Sequence, residues 1–158
     1  MAMSNPFNHP AWIDISLFLA RLTLGLYMLL AGWEKISAGV GTFISDNFMK
    51  LKPAWLPEMV AYPYAYALPF AELLTGLLLL LGLFTRISAG LIALMLLSIY
   101  IAQASKFGIT GLEKAGPPFQ HSIVMFTMAF MIAIIGSGRL ALDPLYSGGG
   151  DSGGGRKK

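Results

Sequence analysis

The sequence predicts an all-α, polytopic membrane protein, an antiparallel four-helix transmembrane bundle with an amphipathic interfacial segment in its first loop. Composition is the first observation: 56% of the 158 residues are hydrophobic and only 12% are charged, and the mean hydropathy is +0.67. A soluble domain of this size needs more polar residues to cover its surface. The second observation is four separate apolar segments, each close to the roughly 20 residues that a membrane helix requires.

The four predicted spans cover residues 13–33, 65–84, 87–104 and 119–136. None of them alternates polar and apolar residues with the period of two that a membrane β-strand requires, so we expect helices. All four belong to one predicted membrane domain, residues 13–146, which follows an N-terminal segment, residues 1–12. A flexible, Gly-rich basic tail, residues 147–158, closes the sequence.

The first loop, between spans one and two, is long for a helix connection. Its residues 43–52 place Phe43 and Phe48 among charged neighbours, a pattern typical of a short amphipathic helix at the membrane interface. The following stretch, residues 53–66, is rich in proline, tryptophan and tyrosine. We expect it at headgroup depth, either as an ordinary interfacial belt or as a lid over a lipid-soluble ligand.

Arg21 and Glu72 are the charged residues in the body of the first two spans, away from their ends. A charge inside the bilayer costs about 3 kcal/mol on insertion scales, so it usually faces a partner or a cavity. From their depths in antiparallel helices, Arg21 and Glu72 are predicted to form a buried polar pair. The pair would be either a structural ion pair or part of a ligand pocket. Residues 21, 25, 28, 32 and 35 share one helix face, and we expect that face to pack on Glu72, Thr75 and Gly76.

A second set of polar side chains is expected at the loop-one end of the bundle, where it could line a polar mouth. Hydrogen-bond donors of this kind suit a quinone carbonyl, so we predict that these side chains face a ligand: Lys35, Gln103, Lys106, His121 and Tyr66. The chain has no cysteine and two histidines. We therefore predict no metal site and no catalytic residue.

At the opposite end, Arg86, Arg139 and Asp143 are predicted to play a structural role near the membrane surface. A carboxylate of Asp143 bound to Arg86 or Arg139 would tie the C-terminal segment to the turn between spans two and three. Four spans place both termini on one side. Arg21 lies in the N-terminal half of span one, which favours a cytoplasmic location for the termini.

Three segments in order carry a resemblance to a known family: RLTLGLYMLLAGWEK at 21–35, ELLTGLLLLLGLFTR at 72–86 and GSGRLALD at 136–143. In these segments the chain resembles the DoxX family of small four-helix membrane proteins. The resemblance implies a location in the bacterial cytoplasmic membrane and a role beside a quinone-linked oxidoreductase. It identifies no catalytic residue.

The predicted function is that of an accessory or quinone-interacting subunit of a membrane oxidoreductase system, with a membrane quinone as the possible ligand. One alternative is a purely structural subunit of a respiratory or photosynthetic complex. A second is a small-solute or proton carrier that uses Glu72. The expected partners are the lipid bilayer and either other membrane subunits or a second copy of this chain. No broad basic surface indicates nucleic acid.

Overall fold

The computed structural model describes residues 11–107, 117–136 and 141, and within those ranges it contains helices and no strand. In chain order the helices are α1 (Ala11–Ser37), α2 (Val40–Phe43), a π-helical turn (Ile44–Phe48), α3 (Met49–Leu51), α4 (Glu58–Leu81), α5 (Thr85–Phe107) and α6 (Pro117–Ile135). We call residues 40–51 the loop helix. The stretches Trp12–Ser37, Glu58–Leu81 and Thr85–Lys106 are long and apolar enough to cross a membrane, and His121–Ile135 is a shorter apolar helix.

The four long helices form the predicted antiparallel bundle. The most extensive contacts join α1 to α4 and α5 to α6, and α4–α5 and α6–α1 contacts close the ring. The core between them consists of aliphatic and small side chains from all four helices: Leu24, Met28, Leu79, Ala89, Ile92, Ala93, Leu96, Ala129 and Ile132. One end of the bundle carries the α4–α5 turn and is called the turn end. The other carries the loop helix and is called the loop end.

Glycines bring α1 and α4 into close contact. A Cβ on Gly32 would lie 2.7 Å from the backbone of Leu73, and one on Gly76 would lie 2.6 Å from the backbone nitrogen of Leu29. A Cβ on Gly25 would meet Leu80 at 2.8 Å. The expected packing of the glycine face of span one on Gly76 is therefore confirmed. These contacts also fix the antiparallel register, because higher numbers on α1 meet lower numbers on α4.

The turn between α4 and α5 differs from the prediction. The sequence predicted a two-residue connection at Thr85 and Arg86, whereas α4 ends at Leu81 and α5 begins at Thr85. Gly82 adopts the left-handed conformation, with φ of 66°. The N–H of Leu83 then donates to the carbonyl of Leu78 at 2.9 Å. This is a Schellman ending, which favours glycine because a side chain there is strained.

The start of α4 also differs from the prediction. The predicted second span began at residue 65, but α4 begins at Glu58, after Pro57, and contains both Pro63 and Pro69. A proline inside a helix removes one backbone hydrogen bond, which is why the sequence favoured a later start. Membrane helices tolerate this loss when neighbouring groups satisfy the freed carbonyl. The aromatic stretch assigned to the loop therefore includes the first turns of α4.

Close packing at Gly76 predicts the effect of adding a methyl group there. We expect Gly76→Ala to lower the free energy of unfolding by about 1–3 kcal/mol, because α1 and α4 must move apart. Gly90→Ala on α5 is the matched control, since no atom lies within 4 Å of the added Cβ. It should be neutral or stabilising by up to about 1 kcal/mol. Unfolding in mixed micelles measures both, and equal effects would contradict the close contact.

Candidate functional site

An ion pair between Lys35 on α1 and Glu72 on α4 lies between the two most closely packed helices. The Lys35 Nζ donates to both carboxylate oxygens of Glu72, at 2.5 and 2.6 Å. The Glu72 side chain is 4% exposed and that of Lys35 is 23% exposed. Two hydrogen bonds from one ammonium hold the carboxylate in a single orientation in a medium of low dielectric constant.

The prediction that Arg21 pairs with Glu72 was wrong, because the partner of Glu72 is Lys35. Arg21 and Glu72 are both buried, as expected, but Arg21 lies beside Gly82 and over the ring of Phe18. Gly82 is ten residues beyond Glu72, about 15 Å along the helix. Side chains of a helix lean toward its N-terminus. In antiparallel α1 and α4, Lys35 and Glu72 therefore lean toward each other, whereas Arg21 leans toward the turn end.

A cavity of about 460 Å³ opens beside the ion pair at the loop end. Its walls are mainly apolar and aromatic and come from α1, the loop helix, residues 52–56, α4, α5 and α6. The aromatic members are Tyr27, Phe43, Phe48, Trp55 and Tyr64. This size and lining are typical of a site for a small organic ligand.

Other polar side chains line the cavity besides the ion pair, and three of them lie on α4 and α5. The hydroxyl of Tyr64 on α4 lies 2.5 Å from that of Ser98 on α5, and Ser98 donates to the carbonyl of Met95 at 2.7 Å. Gln103, also on α5, is 3% exposed. Its buried Oε1 has no hydrogen-bond partner among the residues that the structure describes.

The loop helix forms one wall of the cavity and contacts the bundle at three points. Lys35 Nζ lies 5.2 Å from the ring centroid of Phe43. The rings of Phe48 and Tyr64 are 5.9 Å apart. Lys106 donates to the backbone carbonyl of Lys50. The predicted helix in loop one is therefore confirmed, and the ion pair directly contacts it.

Two of the five residues predicted to face a ligand line the cavity, and three do not. Lys35 and Gln103 are part of its walls. Tyr66 is 60% exposed and packs on Phe70. His121 is exposed at the start of α6, and Lys106 lies on the surface, where it holds the loop helix. Any role of these three residues stays a prediction.

Sequence reasoning missed most of the aromatic wall and the Tyr64–Ser98 pair. Tyr64 was assigned to the loop, and Ser98 is one polar residue in an apolar span. The pattern of residues along one helix cannot show this contact, because Tyr64 and Ser98 lie on two separate helices. Trp55 belongs to the aromatic stretch at residues 53–66, for which one of the two predicted roles was a lid over a lipid-soluble ligand. That alternative was the sequence signal for this part of the cavity wall.

At the turn end, Arg86 donates to the last carbonyl of α6, that of Ile135, at 3.4 Å. A cation at the C-terminus of a helix stabilises its unpaired carbonyl groups. Arg86 thus ties the start of α5 to the end of α6. Arg139 and Asp143 lie outside the described residues, so their predicted ion pair stays a prediction.

The described ranges contain no group of three His, Asp or Glu side chains arranged to hold a metal ion. The polar groups of the cavity are two ammonium groups, a carboxylate, hydroxyls, amides and an indole N–H. These groups bind an organic head group through hydrogen bonds.

Comparison with known proteins gives one match. The family model described as DoxX matches residues 16–104, more than half of the chain, and confirms the resemblance found in the sequence. The match includes the α1, loop-helix, α4 and α5 residues of the cavity and ends before the segment at 136–143. No curated protein and no solved structure shows a significant match to the chain.

The buried ion pair predicts strong coupling between its two residues. Lys35→Met should lower the free energy of unfolding by about 3 kcal/mol, because the carboxylate of Glu72 stays buried without its partner. The double variant Lys35→Met, Glu72→Leu should recover most of that loss.

The matched control for this prediction is Lys50→Met, which breaks an exposed pair with Asp46 at 3.9 Å and should cost less than about 1 kcal/mol. Unfolding titrations of all the variants measure the coupling. If the double variant is no more stable than Lys35→Met alone, Lys35 and Glu72 are not coupled.

Proposed function

The chain belongs to the DoxX family of membrane proteins, and from this premise we propose that its loop-end cavity binds a membrane quinone. The proposed role is that of an accessory, quinone-binding subunit of a membrane oxidoreductase system. The cavity beside Lys35 and Glu72 is the observation that carries the proposal. The association with an oxidoreductase is supported by the family resemblance.

The chemistry of the cavity suits a flat ring with a few polar oxygens. Aromatic side chains such as Phe48, Trp55 and Tyr64 can stack on a ring face or meet it edge-on. Polar groups on α4 and α5 can bind the oxygens of the ring. The apolar remainder, with Leu68 and Leu96 among it, suits the first part of a hydrocarbon tail.

The cavity also adjoins the surface that lipid would cover. Val60 on α4 and Ile101 on α5 both line it, and they are 56% and 45% exposed. Exposed aliphatic side chains on a membrane helix face acyl chains. A ligand dissolved in the bilayer could therefore reach the cavity from the side.

We also propose that the protein lies in the bacterial cytoplasmic membrane, with its termini on the cytoplasmic side. The family resemblance supports the location. The position of Arg21 supports the orientation, because its long side chain leans toward the turn end and basic residues are more frequent on the cytoplasmic side of a membrane protein.

Filling the cavity should prevent quinone binding. We expect Ala102→Phe to weaken the binding of a short-chain benzoquinone with a decyl tail by at least about tenfold, because the ring would occupy the same volume. Ala102 lines the cavity, whereas Ala104, two residues along α5, does not. Ala104→Phe is therefore the matched control and should bind as the unchanged protein does. Calorimetry with the protein in lipid nanodiscs measures both affinities.

Purification from native membranes in mild detergent, with mass spectrometry of bound proteins and lipids, tests the same proposal independently. Co-purification with quinone and oxidoreductase subunits would support it. A stoichiometric complex without quinone would favour the purely structural role. Absence of quinone, together with no binding in nanodiscs, would overturn the proposal.

A further inference from the structure

The charged side chains that line the cavity do not balance. We propose that the cavity binds an anionic phospholipid, with the phosphate at Lys52 and one acyl chain inside. Among the residues that the structure describes, the charged members of the lining are Lys35, Lys52 and Glu72, which together carry a formal charge of +1. This inference names a second ligand of the cavity and does not depend on the proposed quinone.

Lys52 is the source of the excess charge. Lys35 gives hydrogen bonds to both carboxylate oxygens of Glu72, so those two charges compensate each other. The ammonium of Lys52 instead donates to a neutral group, the backbone carbonyl of Leu56, at 2.7 Å. No carboxylate of the described ranges forms an ion pair with Lys52.

The carboxylates nearest to Lys52 in the sequence do not supply the missing negative charge. Asp46 and Glu58 each lie six residues away, and both are exposed and outside the lining of the cavity. Asp46 lies 3.9 Å from the ammonium of Lys50 instead. Lys52 is half-buried, and an ammonium that has lost part of its water is stabilised by an anion that binds to it.

The hydrogen-bond donors of this wall suit a phosphate group. The ammonium of Lys52 has three N–H groups, of which one is given to Leu56. The indole of Trp55 also lines the cavity, and its side chain is 66% exposed. Phosphate oxygens accept hydrogen bonds from both kinds of donor, and the bonds from an ammonium are the stronger ones.

The cavity opens at the depth where phospholipids place their phosphates. Trp55 and the exposed tyrosines of the aromatic stretch, residues 53–66, are typical of the membrane interface. Val60 and Ile101 form the exposed aliphatic rim. A phospholipid whose phosphate binds at Lys52 can therefore place an acyl chain over this rim and into the apolar interior.

The charge of the lining predicts a preference among phospholipids. In phosphatidylcholine the phosphate is compensated by the ammonium of its own head group, whereas phosphatidylglycerol carries a net negative charge. One lysine near an anionic head group should favour the anionic lipid about fivefold. We therefore expect phosphatidylglycerol to bind about fivefold more tightly than phosphatidylcholine with the same acyl chains.

Titration of the delipidated, full-length protein with each lipid in mild detergent tests this preference, and native mass spectrometry measures the two dissociation constants. Lys52→Gln should bring their ratio close to one by weakening phosphatidylglycerol alone. Lys52→Arg keeps the charge and should keep the preference. Lys50→Gln is the matched control, because Lys50 is exposed and outside the lining, and it should leave the ratio unchanged.

A separate pair of variants tests where the acyl chain lies. Ala102→Phe should weaken phosphatidylglycerol by at least about tenfold, because the added ring fills the volume that the chain would occupy. Ala104→Phe, which alters a residue outside the lining, should bind the lipid as the unchanged protein does.

The outcomes separate this inference from the proposed function. Equal affinity for the two lipids would overturn it, and so would equal losses in Lys50→Gln and Lys52→Gln, since the attraction would then belong to the whole surface. Retention of a free fatty acid in place of phosphatidylglycerol would show that the ligand is wrongly identified. If phosphatidylglycerol binds as expected but the decyl-tailed benzoquinone does not, the quinone proposal fails and the lipid site stands.

Discussion

The close approach of α1 and α4 is the constraint on which the rest of the bundle depends. Gly25 and Gly32 on one helix and Gly76 on the other let the backbones meet, and only one register satisfies all three contacts. In that register Lys35 lies within reach of Glu72, and Arg21 lies at the opposite end of the bundle beside Gly82. The positions of the charged side chains therefore follow from the positions of the glycines.

This register also determines where the cavity forms. Near the turn end, small residues and aliphatic side chains fill the space between the four helices. Toward the loop end, α4 contains Pro63 and Pro69 and the loop helix replaces part of the packing that another long helix would provide. The Lys35–Glu72 pair lies at the boundary between the two regions. Because it also contacts Phe43, it connects the well-packed part of the bundle to the wall of the cavity.

The sequence predicted the class of fold, the four helices and the packing face of α1, because apolar length and glycine spacing are local properties of a helix. It did not predict the partner of Glu72. A comparison of depths in the membrane ignores the direction in which each side chain extends. The side chain of Lys35 leans toward Glu72 and that of Arg21 leans away from it, and this difference decides the pairing. The start of α4 was misplaced because the rule that proline ends a helix holds less well in a membrane. The Tyr64–Ser98 contact joins separate helices and leaves no periodic signal.

The exposed aliphatic rim at Val60 and Ile101 has a consequence for how affinity at this site should be judged. A hydrophobic molecule that enters from the side is drawn from the lipid phase, where it is concentrated far above its level in water. Occupancy then depends on the mole fraction of the molecule among the lipids, and a modest intrinsic affinity is enough to keep the site filled. By mass action, a filled site also stabilises the folded bundle. If the site binds a lipid-soluble ligand as proposed, the composition of the surrounding membrane becomes one of the variables that set the stability of this protein.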